Sequence, residues 1–124
     1  MADTRRQLES AEQQALFRWA AFAEGKYPEL ALMFHIPNEG VRTKANGARL
    51  KAEGLRAGVP DIMLPVARGA YHGLFIELKA GKNRPSDAQE RWLATLSGQG
   101  YMAVVCWGWE SAKNMIINYL DQEG

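Results

Sequence analysis

One strand constrains this chain more than any other feature: Leu74-Phe75-Ile76-Glu77-Leu78-Lys79-Ala80. Side chains alternate across a strand, so Leu74, Ile76, Leu78 and Ala80 share one face, and Phe75, Glu77 and Lys79 share the other. A central strand in an α/β domain is usually covered on both faces. Glu77 and Lys79 are therefore expected side by side on a partly covered face. A same-face ion pair near the sheet surface explains an isolated E-x-K well enough, so any chemistry must come from what surrounds it.

Periodicity organises the surroundings. From about Thr4 to Ala23, Leu8, Leu16 and Trp19 recur at helical spacing, and Gly25 ends that helix. Leu30 to Ile36 reads as a first short strand, followed by the turn Pro37-Asn38-Glu39-Gly40. Lys44 to Gly54 is basic and Ala-rich, a weak helix or an ordered loop, with Gly47 and Gly54 opposing a long helix. Asp61 to Val66 reads as a second strand, joined through a turn at Gly69 to Gly73 to the strand Leu74 to Ala80. Ser86-Asp87-Ala88-Gln89 has the S-x-x-Q form of a capping box and opens a helix to about Ser97. Tyr101 to Trp107 is a β-branched and aromatic strand, and a last helix runs from Ser111 to about Leu120 with Met115, Ile116 and Tyr119 inward. The pattern predicts an α/β domain, a small mixed β-sheet flanked by helices. Strands two and three form an antiparallel hairpin, and strand four follows by a right-handed parallel crossover. A chain of 124 residues suits one domain, residues 1–124, rather than two cores.

Within that frame Pro60-Asp61 opens the second strand, and Asp61 lies on the face opposite Ile62, Leu64 and Val66. Hairpin pairing sets Asp61 across from Glu77. Two close, buried carboxylates repel and resist ionisation, a conflict that a divalent cation resolves. Mg²⁺ commonly takes one or two carboxylates together with water and substrate phosphate. Glu12 lies within the apolar stripe of the first helix and needs a partner, either a nearby Arg or Lys or the same cation. Gln89 faces the core side near its helix start, explained by the cap or by a hydrogen bond to a carboxylate or a water. His35 and His72 are the only histidines and fall on separate segments, so they read as structural or exposed rather than as a zinc site. Neither a Gly-rich phosphate loop nor a G-x-S-x-G elbow occurs.

Net charge is only +1, but its distribution is uneven. Arg42, Lys44, Arg49, Lys51 and Arg56 face a single acid, Glu53, within Val41 to Gly58. This is either a solvated helix face or a phosphate-facing surface, which Lys82 and Arg84 would extend. The single cysteine, Cys106, excludes an intrachain disulfide framework, and its apolar run makes it a core residue. Trp107 and Trp109 are expected in the core. The N-terminal residues have no apolar core of a signal peptide, and no apolar segment approaches the roughly 20 residues that span a bilayer. A soluble, intracellular, cytoplasmic protein without membrane association is the expectation.

Pro60-Asp61 followed by Glu77-Leu78-Lys79 resembles the signature of the PD-(D/E)xK nuclease superfamily. Asn38-Glu39-Gly40, Gly58-Val59-Pro60-Asp61, Phe75-Ile76-Glu77-Leu78-Lys79 and Gln89-Glu90-Arg91-Trp92 together resemble the VRR-NUC family, the virus-type replication-repair nucleases. The resemblance runs from the Glu12 helix to Trp107. It implies a restriction-endonuclease-like core, dependence on Mg²⁺ or Mn²⁺, and structure-selective cutting of DNA. By position, Asp61 and Glu77 resemble the metal ligands, joined by the Leu78 backbone carbonyl. Lys79 resembles the active-site lysine, and Glu12 and Gln89 the additional helix-borne acid and glutamine. Short standalone members, phage-encoded ones among them, imply a homodimer acting on branched DNA such as a four-way junction. A sequence-specific restriction-type nuclease and a non-catalytic DNA-binding module on the same fold are the other readings.

Overall fold

The computed structural model describes residues 4–37 and 44–123. In chain order these form α1 (Thr4–Ala23), a short 3-10 helix (Pro28–Leu32), β1 (Phe34–His35), α2 (Lys44–Ala52), β2 (Ile62–Leu64), β3 (Leu74–Lys79), α3 (Asp87–Gly98), β4 (Met102–Trp107) and α4 (Trp109–Leu120). The strands lie in the order β1-β2-β3-β4. The first two pairings are antiparallel, and β3 pairs with β4 in parallel. This is the mixed α/β sheet that the patterning predicts.

β3 is buried along its whole length because it is flanked by strands and covered on both faces. On one face Ile62, Leu64, Leu74, Ile76, Leu78 and Cys106 pack against Leu16 and Ala20 of α1 and Ala112, Ile116 and Tyr119 of α4. Burying side chains of this size is worth roughly 1.5–3 kcal/mol each before the entropy of ordering is set against it. The other face carries Phe75, Glu77 and Lys79, and α3 lies over it. Tyr101 meets the Phe75 ring edge-on at 5.2 Å between centroids.

Two local devices bring α3 to the sheet. Ser86 Oγ accepts from the Gln89 backbone N–H at 3.1 Å, and Gln89 Oε1 accepts from the Ser86 backbone N–H at 2.8 Å, completing the predicted capping box. Gly58 adopts φ +92°, and a Cβ there would sit 2.8 Å from the Ala88 carbonyl carbon. Only glycine permits this approach, which seats the segment leading into Asp61 against the first turn of α3.

Four expectations change. Leu30 to Ile36 is not a continuous strand: Pro28 starts the 3-10 helix, Met33 N–H closes onto Leu30 carbonyl at 3.1 Å, and only Phe34–His35 remains extended. The last helix starts at Trp109, two residues before Ser111, because Glu12 accepts its first N–H. Leu8, expected inward, is 52% exposed, since the buried part of α1 begins near Leu16. Trp107, expected in the core, is 47% exposed at the end of an edge strand, whereas Trp109 does pack against the core. Among the described residues no helix is long and apolar enough to cross a membrane.

Candidate active site

β3 and β4 are parallel, so their C-terminal ends open on the same edge of the sheet, where side chains of an open α/β fold can meet a ligand. The register Ile62↔Ile76, continued by one residue, sets Asp61 opposite Glu77. β2 starts only at Ile62, so the Leu78 N–H has no strand partner on that edge. Asp61 Oδ2 takes it instead, at 2.9 Å. The N–H and C=O of one strand residue project to the same side, so the Leu78 carbonyl leaves β3 on this edge as well.

Glu77 is only 1% exposed. Its Oε2 accepts from Gln89 Nε2 at 2.9 Å and lies 3.4 Å from Lys79 Nζ, while its Oε1 is buried and has no hydrogen-bond partner among the described residues. Burial pushes the Glu77 carboxyl up to about 8, and the charge of Asp61 adds to the effect, with Lys79 opposing. Burial also raises Asp61, opposed first by the Leu78 N–H. The two carboxyls thus stand opposite each other, each raised by burial, with Lys79 offsetting part of their charge.

These groups line a cleft of 420 Å³ between the first half of α1 and the end of the sheet. It brings together Asp61, Glu77, Leu78, Lys79 and Gln89, and adds Arg5, Arg6, Glu9, Gln13 and His35. Glu12 is not among them. Its Oε1 accepts from the Trp109 backbone N–H at 2.8 Å and so caps α4. The acid that α1 turns to the cleft is Glu9, held by Asn83 Nδ2 at 3.0 Å. The signal for it is the polar stripe Arg5, Arg6, Glu9 and Gln13, spaced by three and four residues, which reasoning from the apolar stripe passes over. His35 also lines the cleft rather than standing apart, with Nδ1 3.0 Å from the Asp61 carbonyl.

The basic residues behave differently. Arg42 and the Asn38-Glu39-Gly40 turn lie outside the described residues, and Lys44 is described in its backbone alone. Arg49 forms an exposed pair with Glu53 at 3.1 Å. Lys51 and Arg56 are exposed, and none of these three lines the cleft. Lys82 and Arg84 are exposed beside a neighbouring groove. Among the described residues no group of three or more His, Cys, Asp and Glu side chains stands ready to enclose a metal. The Asp61–Glu77 pair is an open arrangement, unlike a closed zinc site.

A buried glutamate and lysine facing a half-buried aspartate at the end of a mixed sheet, opening on a polar cleft, fit a nuclease-like α/β domain. The family model described as the VRR-NUC domain matches residues 2–109, and the chain belongs to the VRR-NUC family of nuclease domains. A solved structure described as a VRR_NUC domain protein is similar to it at 31% identity and a TM-score of 0.80, covering 94% of this chain and 90% of that one. No curated protein matches the chain.

Proposed function

We propose that this chain is a divalent-cation-dependent endonuclease that hydrolyses phosphodiester bonds in branched DNA, working as a homodimer. The observation that carries the proposal is Glu77: a carboxylate buried in the sheet, facing Asp61, with one oxygen unpaired. A buried polar atom without a partner costs about 1–3 kcal/mol, more when charged, and calls for an explanation. The donor set is all oxygen, with two carboxylates and the nearby Leu78 carbonyl. That suits Mg²⁺ or Mn²⁺, which keep positions for water and phosphate.

Asp61, Glu77 and the Leu78 carbonyl would hold the cation, and Glu9 offers a further carboxylate across the cleft. When bound, such an ion supplies Lewis acidity and neutralises phosphate charge. Lys79, anchored beside Glu77, orients the attacking water and stabilises negative charge on the phosphate as the transition state forms. Gln89 donates to Glu77 and fixes its rotamer. Glu12 acts at a distance, by setting the start of α4. Arg5 and Arg6 bring positive charge to the cleft wall, and Lys51, Arg56, Lys82 and Arg84 serve as outer phosphate contacts. Two such clefts in a homodimer would face two strands of a junction.

The test is cleavage of labelled four-way junction, flap, single strand and plain duplex with Mg²⁺, Mn²⁺ or EDTA, beside Asp61→Ala. Metal-dependent cutting of branched substrates, lost in Asp61→Ala, is expected. Cutting by purified Asp61→Ala at the wild-type rate would overturn the site. A fixed ladder on plain duplex would instead favour a restriction-type enzyme, and metal-indifferent binding without cutting would favour a binding module.

A further inference from the structure

Trp107 ends β4 with its indole 47% exposed. It is the register partner of Lys79. Parallel partners share a face, so the indole stands on the same side of the sheet as Glu77 and Lys79, about 4.8 Å of backbone away. It lines a groove of 710 Å³ together with Lys82 and Arg84 of the preceding loop and Asp87 and Glu90 of α3. The ring is held: its Nε1–H donates to the Asn83 carbonyl at 2.7 Å. Asn83 in turn bonds Glu9, which lines the catalytic cleft. One loop, residues 80–86, therefore separates the cleft from a fixed, open aromatic face.

We propose that Trp107 is a stacking platform for an unpaired DNA base about one or two nucleotides from the scissile phosphate, an inference that rests on the nuclease reading above. A stacked DNA strand advances about 3.4 Å per nucleotide and an unstacked one further, so a strand spacing of about 4.8 Å keeps the base within a nucleotide or two of the Lys79 position. A base inside duplex is already stacked on its neighbours, and only an unpaired base can lie flat on the indole. Stacking on an aromatic ring is tolerant of sequence, because every base has a π-face. Lys82 and Arg84 meet the flanking phosphates, while Asp87 and Glu90 repel them, which lays the DNA backbone on the loop side of the groove. A protein partner fits poorly: beside the indole only Val105 and Pro85 are apolar, against four charged side chains, so the groove lacks the broad apolar centre of a subunit interface. The platform makes unpaired nucleotides beside the cut the recognised feature of the substrate.

The experiment measures DNA affinity by fluorescence anisotropy in a non-cutting Glu77→Gln background with Mg²⁺. One labelled duplex is compared with the same duplex carrying a short single-stranded gap. Adding Trp107→Ala should weaken binding to the gapped DNA roughly ten-fold or more and to the plain duplex less than about two-fold, with Trp107→Phe keeping most of the affinity. Gapped DNA should also quench the part of the indole emission that Trp107→Phe removes, a readout independent of whether Trp107→Ala folds. Unchanged affinity for gapped DNA in a folded Trp107→Ala protein, or absence of that quenching, would overturn the platform. Equal loss on both DNAs with a change in oligomeric mass would also overturn it and assign Trp107 to a subunit contact. Wild-type protein that neither cuts nor binds any DNA would sink the nuclease reading. Cutting that persists with no Trp107 effect sinks the platform alone.

Discussion

Tyr119 and Glu77 are hidden to the same degree, each 1% exposed, on either side of β3. Tyr119 sits in the apolar core, and its hydroxyl donates to the Val66 carbonyl at 2.6 Å. Its one polar demand is met. Glu77 lies on the other face, and one of its oxygens has no hydrogen-bond partner among the described residues, with a second acid opposite and Lys79 beside it. The core face is arranged as stability requires, whereas the cleft face holds a group that stability alone would replace. That difference, within one small sheet, is what supports the chemical role proposed for Glu77.

Glu77→Gln tests the contrast most strongly. Cleavage should fall on the order of a thousandfold, since a neutral amide holds a divalent cation far more weakly than a carboxylate, and without the cation the charge on phosphate is not neutralised. Stability should move the other way. The Glu77 carboxyl is raised from its ordinary 4.5 to about 8, so the folded state holds that proton more tightly than the unfolded state. Stability is then fully present below about 4.5 and declines as pH rises through about 8. Metal-free wild type should melt at progressively lower Tm across that range, and Glu77→Gln should flatten the profile. Added Mg²⁺ should recover Tm in the wild type and not in the variant. A wild-type Tm that climbs with pH in EDTA would contradict the assignment.

Gln89 joins the two regimes, because one side chain serves both the α3 cap and the Glu77 carboxylate. Gln89→Ala and Ser86→Ala separate the duties. Each should cost about 1 kcal/mol in urea unfolding through the damaged cap. Only Gln89→Ala also frees the Glu77 rotamer, so its cleavage rate should drop about ten-fold beyond whatever Ser86→Ala shows. Equal rates in the two variants would reduce Gln89 to a capping residue.

The same residues show what patterning can reach. The β2–β3 hairpin, the parallel crossover to β4 and the α3 cap were legible because alternation and capping are local rules, and they carried Asp61, Glu77, Lys79 and Gln89 into one cleft. Glu12 showed the limit. Its place in an apolar stripe called for a partner, but an α4 backbone N–H nearly a hundred residues away met the need, and no periodicity names such a partner. Glu9 was missed because a polar stripe on a helix usually means solvent, and only tertiary packing turns it to a cleft. Trp107 was expected inside for its composition, yet β4 is an edge strand, which depends on strand order. Gly58 stood beside the Pro60-Asp61 motif without any sign that Ala88 would press against it.

Tyr119→Phe is the complementary change on the core face and should have the smallest effect. The ring keeps its place among Ile116, Leu120 and Tyr71, so no cavity opens. What is lost is one hydrogen bond, with the Val66 carbonyl left without its phenolic donor. The expected cost is about 1 kcal/mol in urea unfolding, with an unchanged m-value. Cleavage at saturating Mg²⁺ should match wild type, because Tyr119 sits in the core on the face of the sheet opposite Glu77 and Lys79. The result matters through its sign. Removing a polar atom from a satisfied buried site should destabilise, while neutralising the unsatisfied one at Glu77 should stabilise above neutral pH. If both variants lost stability alike at that pH, Glu77 would be an ordinary structural acid and the contrast between the two faces would not hold.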